Sequence, residues 1–143
     1  MAVAMLVGRC WKGMTSRVPG FVPIPESQVV MTGLRALDKT EEQKVESSGV
    51  HRVAIGDALT AIESLSPKAI YLHVDLDVFD TSVGTANGYA VSGGITRDEF
   101  MNLASGLRSM IGAVALTAYD PSYDPDNRIA HLAVDIARVV AVP

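Results

Sequence analysis

The sequence predicts an α/β fold: a parallel sheet with flanking helices. Three observations carry this. Short apolar runs bounded by glycine and proline alternate with segments of helical periodicity. One run, Ala69–Asp77, is the clearest strand of the chain, strongly apolar up to its carboxylates. Carboxylates gather where two strands end, Asp75 and Asp77 at one and Asp120 and Asp124 past another, and in such sheets ligands bind beyond the carboxyl ends of the strands.

Taken in order, Ala2–Val7 reads as a helix stopped by Gly8, and Cys10 to Pro25, with Gly13, Gly20 and three prolines, as loop. Gln28–Thr32 is a short buried strand closed by Gly33. Thr40–Ser48 is a solvated helix ending at Gly49. Arg52–Ile55 is a second strand, and Asp57 caps a helix to about Leu65 with Ala58, Leu59 and Ile62 on its apolar face. After Pro67 comes the strand Ala69–Asp77, then a glycine-rich loop from Thr81 to Gly94. Thr96 with Glu99 three residues on is a capping box for a helix to Met110. Ala113–Tyr119 is the last strand and Arg128–Val140 the last helix.

Bulk properties narrow the class. The chain has 143 residues, 48% hydrophobic and 20% charged, with mean hydropathy +0.25. That is enough for one globular domain and argues against disorder. A net charge of −4 offers no attraction to nucleic acid or an anionic membrane. No apolar run approaches the roughly 20 residues that span a bilayer. The single cysteine, Cys10, can form no internal disulfide, so a reducing cytoplasm is the simplest compartment. Met1–Val7 does not read as a secretory signal, and an apolar helix opening the chain without a cap suggests that the sequence begins inside a larger unit.

The chemistry concentrates at His73-Val74-Asp75-Leu76-Asp77. Side chains two apart on a strand share a face, so all three polar groups are expected to point the same way. Two carboxylates about 4 Å apart repel by roughly 1 kcal/mol in water and about 4 kcal/mol at a protein-like dielectric. A divalent cation, or a pair of them, reverses that sign. Oxygen donors favour Mg²⁺ or Mn²⁺, and imidazole tilts the choice towards Mn²⁺ or a later metal. Asp75 and Asp77 are therefore the candidate metal ligands. The alternative is that they begin a polar turn, and for His73 the ordinary reading is a hydrogen-bonded core residue.

These residues resemble the arginase–agmatinase–formiminoglutamase family, the ureohydrolases. The resemblance rests on Asp75-Leu76-Asp77-Val78-Phe79-Asp80, on Ser92-Gly93-Gly94-Ile95-Thr96, on Tyr119-Asp120-Pro121-Ser122-Tyr123-Asp124-Pro125-Asp126, and on Thr32-Gly33-Leu34-Arg35-Ala36-Leu37-Asp38, collinear over essentially the whole chain. It implies a three-layer arginase-like fold, here incomplete, with residues 1–143 the C-terminal portion of a single domain. It implies that Asp75 and Asp77 are ligands of a two-manganese centre. In the family that centre generates a bridging hydroxide that cleaves guanidino, amidine or formimino C–N bonds of a small-molecule substrate. Asp38 matches a family carboxylate near the substrate's amino end, although a helix cap explains it equally well. A homo-oligomer is implied, with neither nucleic acid nor membrane as partner.

The departures are specific. The family's Gly-Gly-Asp-His and Asp-Ala-His-x-Asp segments are not in this sequence, and neither His51 nor His131 sits in matching context. Ala118 stands where arginase-like members place a guanidinium-gripping glutamate, Ala36 replaces a carboxylate two residues before Asp38, and Thr81 replaces the usual proline. The isolated chain is thus expected to be a fragment or truncated reading frame, catalytically incomplete, with its strands in two pairs separated by a gap. A metal-binding or subunit remnant without turnover is the alternative. The nucleophile motif of haloacid-dehalogenase-type phosphatases is a weaker match, because no lysine follows Lys68 and Val78-Phe79 replaces Gly-Thr. Neither a Gly-x-Gly-x-x-Gly nucleotide loop nor a Gly-x-Ser-x-Gly elbow is present.

Overall fold

The computed structural model of the protein describes residues 2–141. The elements are α1 (Ala2–Leu6), α2 (Lys12–Thr15), β1 (Val30–Met31), α3 (Lys39–Glu46), β2 (His51–Arg52), α4 (Ala58–Ser64), β3 (Ile70–Asp75), α5 (Arg97–Leu107), β4 (Ile111–Thr117) and α6 (Arg128–Ala141). All strand pairing is parallel. β1 pairs with β2, and β3 with β4, as two separate two-stranded sheets. These are the two pairs and the gap that the sequence leads one to expect.

The elements differ from expectation mainly at their ends. α2 is a single helical turn within the segment read as loop. β1 is shortened because Glu26–Gln28 coil into a 3-10 turn. There the Glu26 carboxylate accepts bonds from Arg9 and, at 2.9 Å, from the Gly49 N–H. β2 begins one residue early and stops at Arg52. The 3-10 turn Ile55–Asp57 follows, so Asp57 closes that turn and makes no side-chain cap on α4. The capping box at α5 forms as read: Glu99 N–H donates to Thr96 Oγ1 at 3.3 Å and Thr96 N–H to Glu99 Oε2 at 2.8 Å.

The core lies on one face of the β3–β4 sheet. Leu72, Val74 and Leu116 pack with Phe100 and Ala104 of α5 and with Ile129, Leu132 and Ile136 of α6. Burying side chains such as Ile129 and Ile136, both 0% exposed, contributes about 1.5–3 kcal/mol each. Phe79, just past β3, meets Phe100 edge to face with ring centroids 5.3 Å apart. A second cluster joins Ala58 of α4 to Leu103 and Leu107 of α5.

The opposite face holds Tyr71, His73 and Asp75, in register with Ala113, Ala115 and Thr117. All three β3 residues are exposed, so the strand is covered on one face. Among the described residues no helix is long and apolar enough to cross a membrane.

Candidate functional site

β3 ends at Asp75, two residues short of the expected Asp77, because its partner ends there: Asp75 is in register with Thr117, the last residue of β4. Leu76–Val78 turns into a 3-10 segment. Asp77 is therefore carried by a turn just past the end of the strand, which was expected to run through it.

The two aspartates are held differently. Asp75 Oδ1 accepts a bond from Thr117 Oγ1 across the sheet and lies 3.3 Å from His73 Nε2. His73 Nδ1 lies 3.0 Å from the Tyr71 hydroxyl. His73 is hydrogen-bonded as expected, but it lies on the exposed face of the sheet and not in the core. Asp77 is held at both ends. Its Oδ2 accepts from Asn87 Nδ2 at 3.1 Å, and its carbonyl accepts from Arg35.

Among the described residues Arg35, from the Thr32–Asp38 motif, has no carboxylate partner. Its guanidinium donates to the carbonyls of Val78 at 2.8 Å, Phe79 at 3.3 Å and Val91 at 3.2 Å. Five donors in a fixed planar fork suit such a fan of carbonyls, which a lysine could not reproduce. The turn bearing Asp77 is thereby pinned to β1's exit and to the glycine-rich loop. Gly33 in the same motif has φ +71°, and a Cβ there would lie 2.5 Å from Val78 Cγ2.

Asp80 organises the glycine-rich loop. Its carboxylate accepts from the N–H groups of Ser82 at 2.9 Å, Gly93 at 2.6 Å and Gly94 at 3.2 Å. Hydrogen bonding by Ser82, through side chain and then backbone, reinforced by Gly93 and Gly94, lowers its pKa to about 2. A Cβ on Gly94 would sit 2.5 Å from Asp80 N and Phe79 C, so the loop closes on the strand exit only with glycine there.

The carboxylates past β4 serve the fold locally. Asp120 Oδ1 accepts from Ser122 N–H at 2.9 Å and Ser122 Oγ at 2.7 Å, which lowers its pKa. Asp124 is 4% exposed, and its Oδ2 accepts from Tyr119 Oη at 3.1 Å and from Ile129 N–H and Ala130 N–H, both at 3.0 Å. Burial pushes its pKa up, but the bonds from Ala130, Ile129 and Tyr119 outweigh burial and the net shift is downward. Asp38 caps α3: Glu41 N–H donates to its Oδ1 at 2.8 Å and Asp38 N–H to Glu41 Oε2 at 3.2 Å.

Hard oxygen donors at a strand end suit a divalent cation, and neither Asp75 Oδ2 nor Asp77 Oδ1 has a hydrogen-bond partner among the described residues. Yet among those residues no group of three or more His, Cys, Asp or Glu converges to enclose an ion. Asp75 and Asp77 could supply carboxylate oxygens to a cation but do not by themselves enclose one. An open cleft of about 470 Å³ lies beyond β1 and β2, lined by Arg35, Arg52, Ile55 and Gly94 among others. Neither Asp75 nor Asp77 lines it.

The fold is a parallel α/β sheet whose motif loops meet at the strand exits. Residues 9–142 match the model of the arginase family, and the chain belongs to that family. No curated protein sequence matches it. Among solved structures it resembles the arginase of Bacillus subtilis, with TM-score 0.85 and 24% identity over 98% of this chain and 54% of that one. It resembles the Entamoeba histolytica arginase solved in complex with L-ornithine at TM-score 0.84 and 17% identity, over 100% of this chain and 52% of that one. The proclavaminate amidino hydrolase of Streptomyces clavuligerus follows at TM-score 0.69 and 21% identity, covering 82% and 42%. The chain thus spans about half the length of the solved arginases it matches. Membership of this family sets the phosphatase reading aside.

The strand reading singled out Asp75 and Asp77 but not the side chains that hold them. Arg35 was legible only as part of a motif, and Asn87 lay in a loop with no chemical signal beyond its polarity.

Proposed function

We propose that the chain is the C-terminal portion of an arginase-family hydrolase of linear C–N bonds, guanidino, amidine or formimino, with Asp75 and Asp77 forming one wall of a manganese centre. The observation that carries this is their shared position at the exit of β3, each with one carboxylate oxygen held by a neighbour and the other open. A divalent pair bound there would supply Lewis acidity. Thr117 and Asn87 keep the two carboxylates in place, and Arg35 holds the turn between them and the glycine-rich loop. Asp38 would meet the amino end of a small-molecule substrate through Oδ2, since Oδ1 is engaged in the helix cap. The alanines at 118 and 36 cannot pair with a cation, which favours a substrate other than arginine. A cytoplasmic homo-oligomer fits this reading.

The lack of a third converging ligand among the described residues favours a second reading for the isolated chain, a metal-binding remnant without turnover. Titration with Mn²⁺ followed by electron paramagnetic resonance tests both. Weak binding is expected, lost in Asp75→Asn and in Asp77→Asn, with no urea, ammonia or formamide released from arginine, agmatine or formimino-glutamate. Binding that survives both substitutions would refute the ligand assignment. Turnover by this polypeptide alone would refute the remnant reading.

A further inference from the structure

One side chain ties the glycine-rich loop to the ends of both long strands. Asn87 Nδ2 donates to Asp77 Oδ2 at 3.1 Å and to the Ala118 carbonyl at 2.7 Å, while its Oδ1 accepts the Tyr89 N–H at 2.8 Å. These bonds fix which way the amide faces. Turned over, it would aim its oxygen at the carboxylate of Asp77 and its NH₂ at a backbone N–H, repulsive on both sides.

The two anchored groups each need such a hold. Asp77 lies in a turn, so no strand ladder orients its carboxylate. Ala118 has φ +61°, a left-handed backbone that an alanine adopts only when its surroundings impose it.

We propose that Asn87 is a positioning residue: it fixes the Asp77 carboxylate with Oδ1 presented to the metal, and it couples that orientation to the backbone at position 118 on the neighbouring strand exit. The inference rests on reading Asp77 as a ligand. Through these two bonds one side chain links the carboxylate of Asp77 to the backbone at residue 118. Partners of ligating groups are commonly worth 10–100-fold in metal affinity.

The test uses the chain itself with Mn²⁺ alone as probe. Asn87→Ala and Asn87→Leu are expected to weaken Mn²⁺ binding by roughly tenfold in protein that still melts cooperatively. In ¹H–¹⁵N spectra the Asn87 side-chain NH₂ pair is expected to shift in Asp77→Asn, to stay in place in Asp75→Asn, and to broaden on adding Mn²⁺. If Asp77→Asn leaves Mn²⁺ binding unchanged, the ligand reading fails. If Asp77→Asn weakens binding and the Asn87 variants do not, the ligand stands and the role of Asn87 is overturned. Should both variants fail to fold, the wild-type spectra decide: an NH₂ pair indifferent to Asp77→Asn and to Mn²⁺ overturns the proposal.

Discussion

Replacing Asp124 by alanine should destabilise the protein without touching its metal chemistry. The carboxylate is 4% exposed and accepts hydrogen bonds from the Tyr119 hydroxyl and from first-turn N–H groups of α6. Losing a side-chain acceptor at a helix start costs about 1 kcal/mol. The Ile129 residue that supplies one of those donors is 0% exposed, so water cannot replace the lost acceptor, and an unsatisfied buried donor adds about 1–3 kcal/mol. A total near 3 kcal/mol corresponds to a fall of roughly 10 °C in melting temperature for a domain of this size. Asp124→Asn keeps one oxygen acceptor and should recover much of the loss.

The two variants also separate charge from shape. The folded pKa of Asp124 lies below its ordinary value. The charge-dependent part of its contribution is therefore complete above about pH 4 and lost as pH falls through the lowered folded pKa. Wild type should converge on Asp124→Asn in acid, read by denaturant midpoints at a series of pH values. An Asp124→Ala protein that melts within about 2 °C of wild type would refute this account. So would an Asp124→Ala protein that loses Mn²⁺ binding while keeping its fold.

Two further outcomes follow from the loop. Gly94→Ala places a methyl 2.5 Å from two backbone atoms, so the loop must move. A loss of about 2–3 kcal/mol is expected, with faster hydrogen exchange at the Asp80 and Ile95 amides, whose bonds bridge the loop to the strand exit at 3.0 Å; unchanged exchange would count against the packing described. For Asp80, whose pKa is lowered from 3.8 to about 2, the stabilising effect is full above the unfolded value and lost as pH falls from about 4 to about 2. The gap between wild type and Asp80→Asn in urea midpoints should close over that window; a gap constant with pH would remove the carboxylate from the argument.

Much of the fold was legible in the chain because its signals are local. The α5 capping box needs only Thr96 and Glu99, three residues apart, and α6 needs only its apolar stripe of Ile129, Leu132, Ile136 and Val140. Element ends were harder. The end of β3 depends on where β4 stops pairing, and the shortening of β1 coincides with contacts of Glu26 to Arg9 and Gly49, 17 and 23 residues away. Asp124 read as part of an acidic strand exit and proved to be the acceptor for α6, a distinction that turns on which way a buried carboxylate faces.

Asp75, Asp77, Asp80 and the glycines after them could be singled out from the sequence, because residue types and their spacing announce carboxylate chemistry and tight turns. Family membership was likewise written in the collinear order of those motifs. What only the tertiary structure decided is how those motifs meet. Arg35 reaches carbonyls more than 40 residues away, Asn87 joins two strand exits, and the strand residues His73 and Asp75 part company with Asp77 at a turn. The physical reason is that a hydrogen bond between distant segments depends on the relative placement of whole elements. That placement is set by packing β3 and β4 against α5 and α6, and no local pattern of residues encodes it.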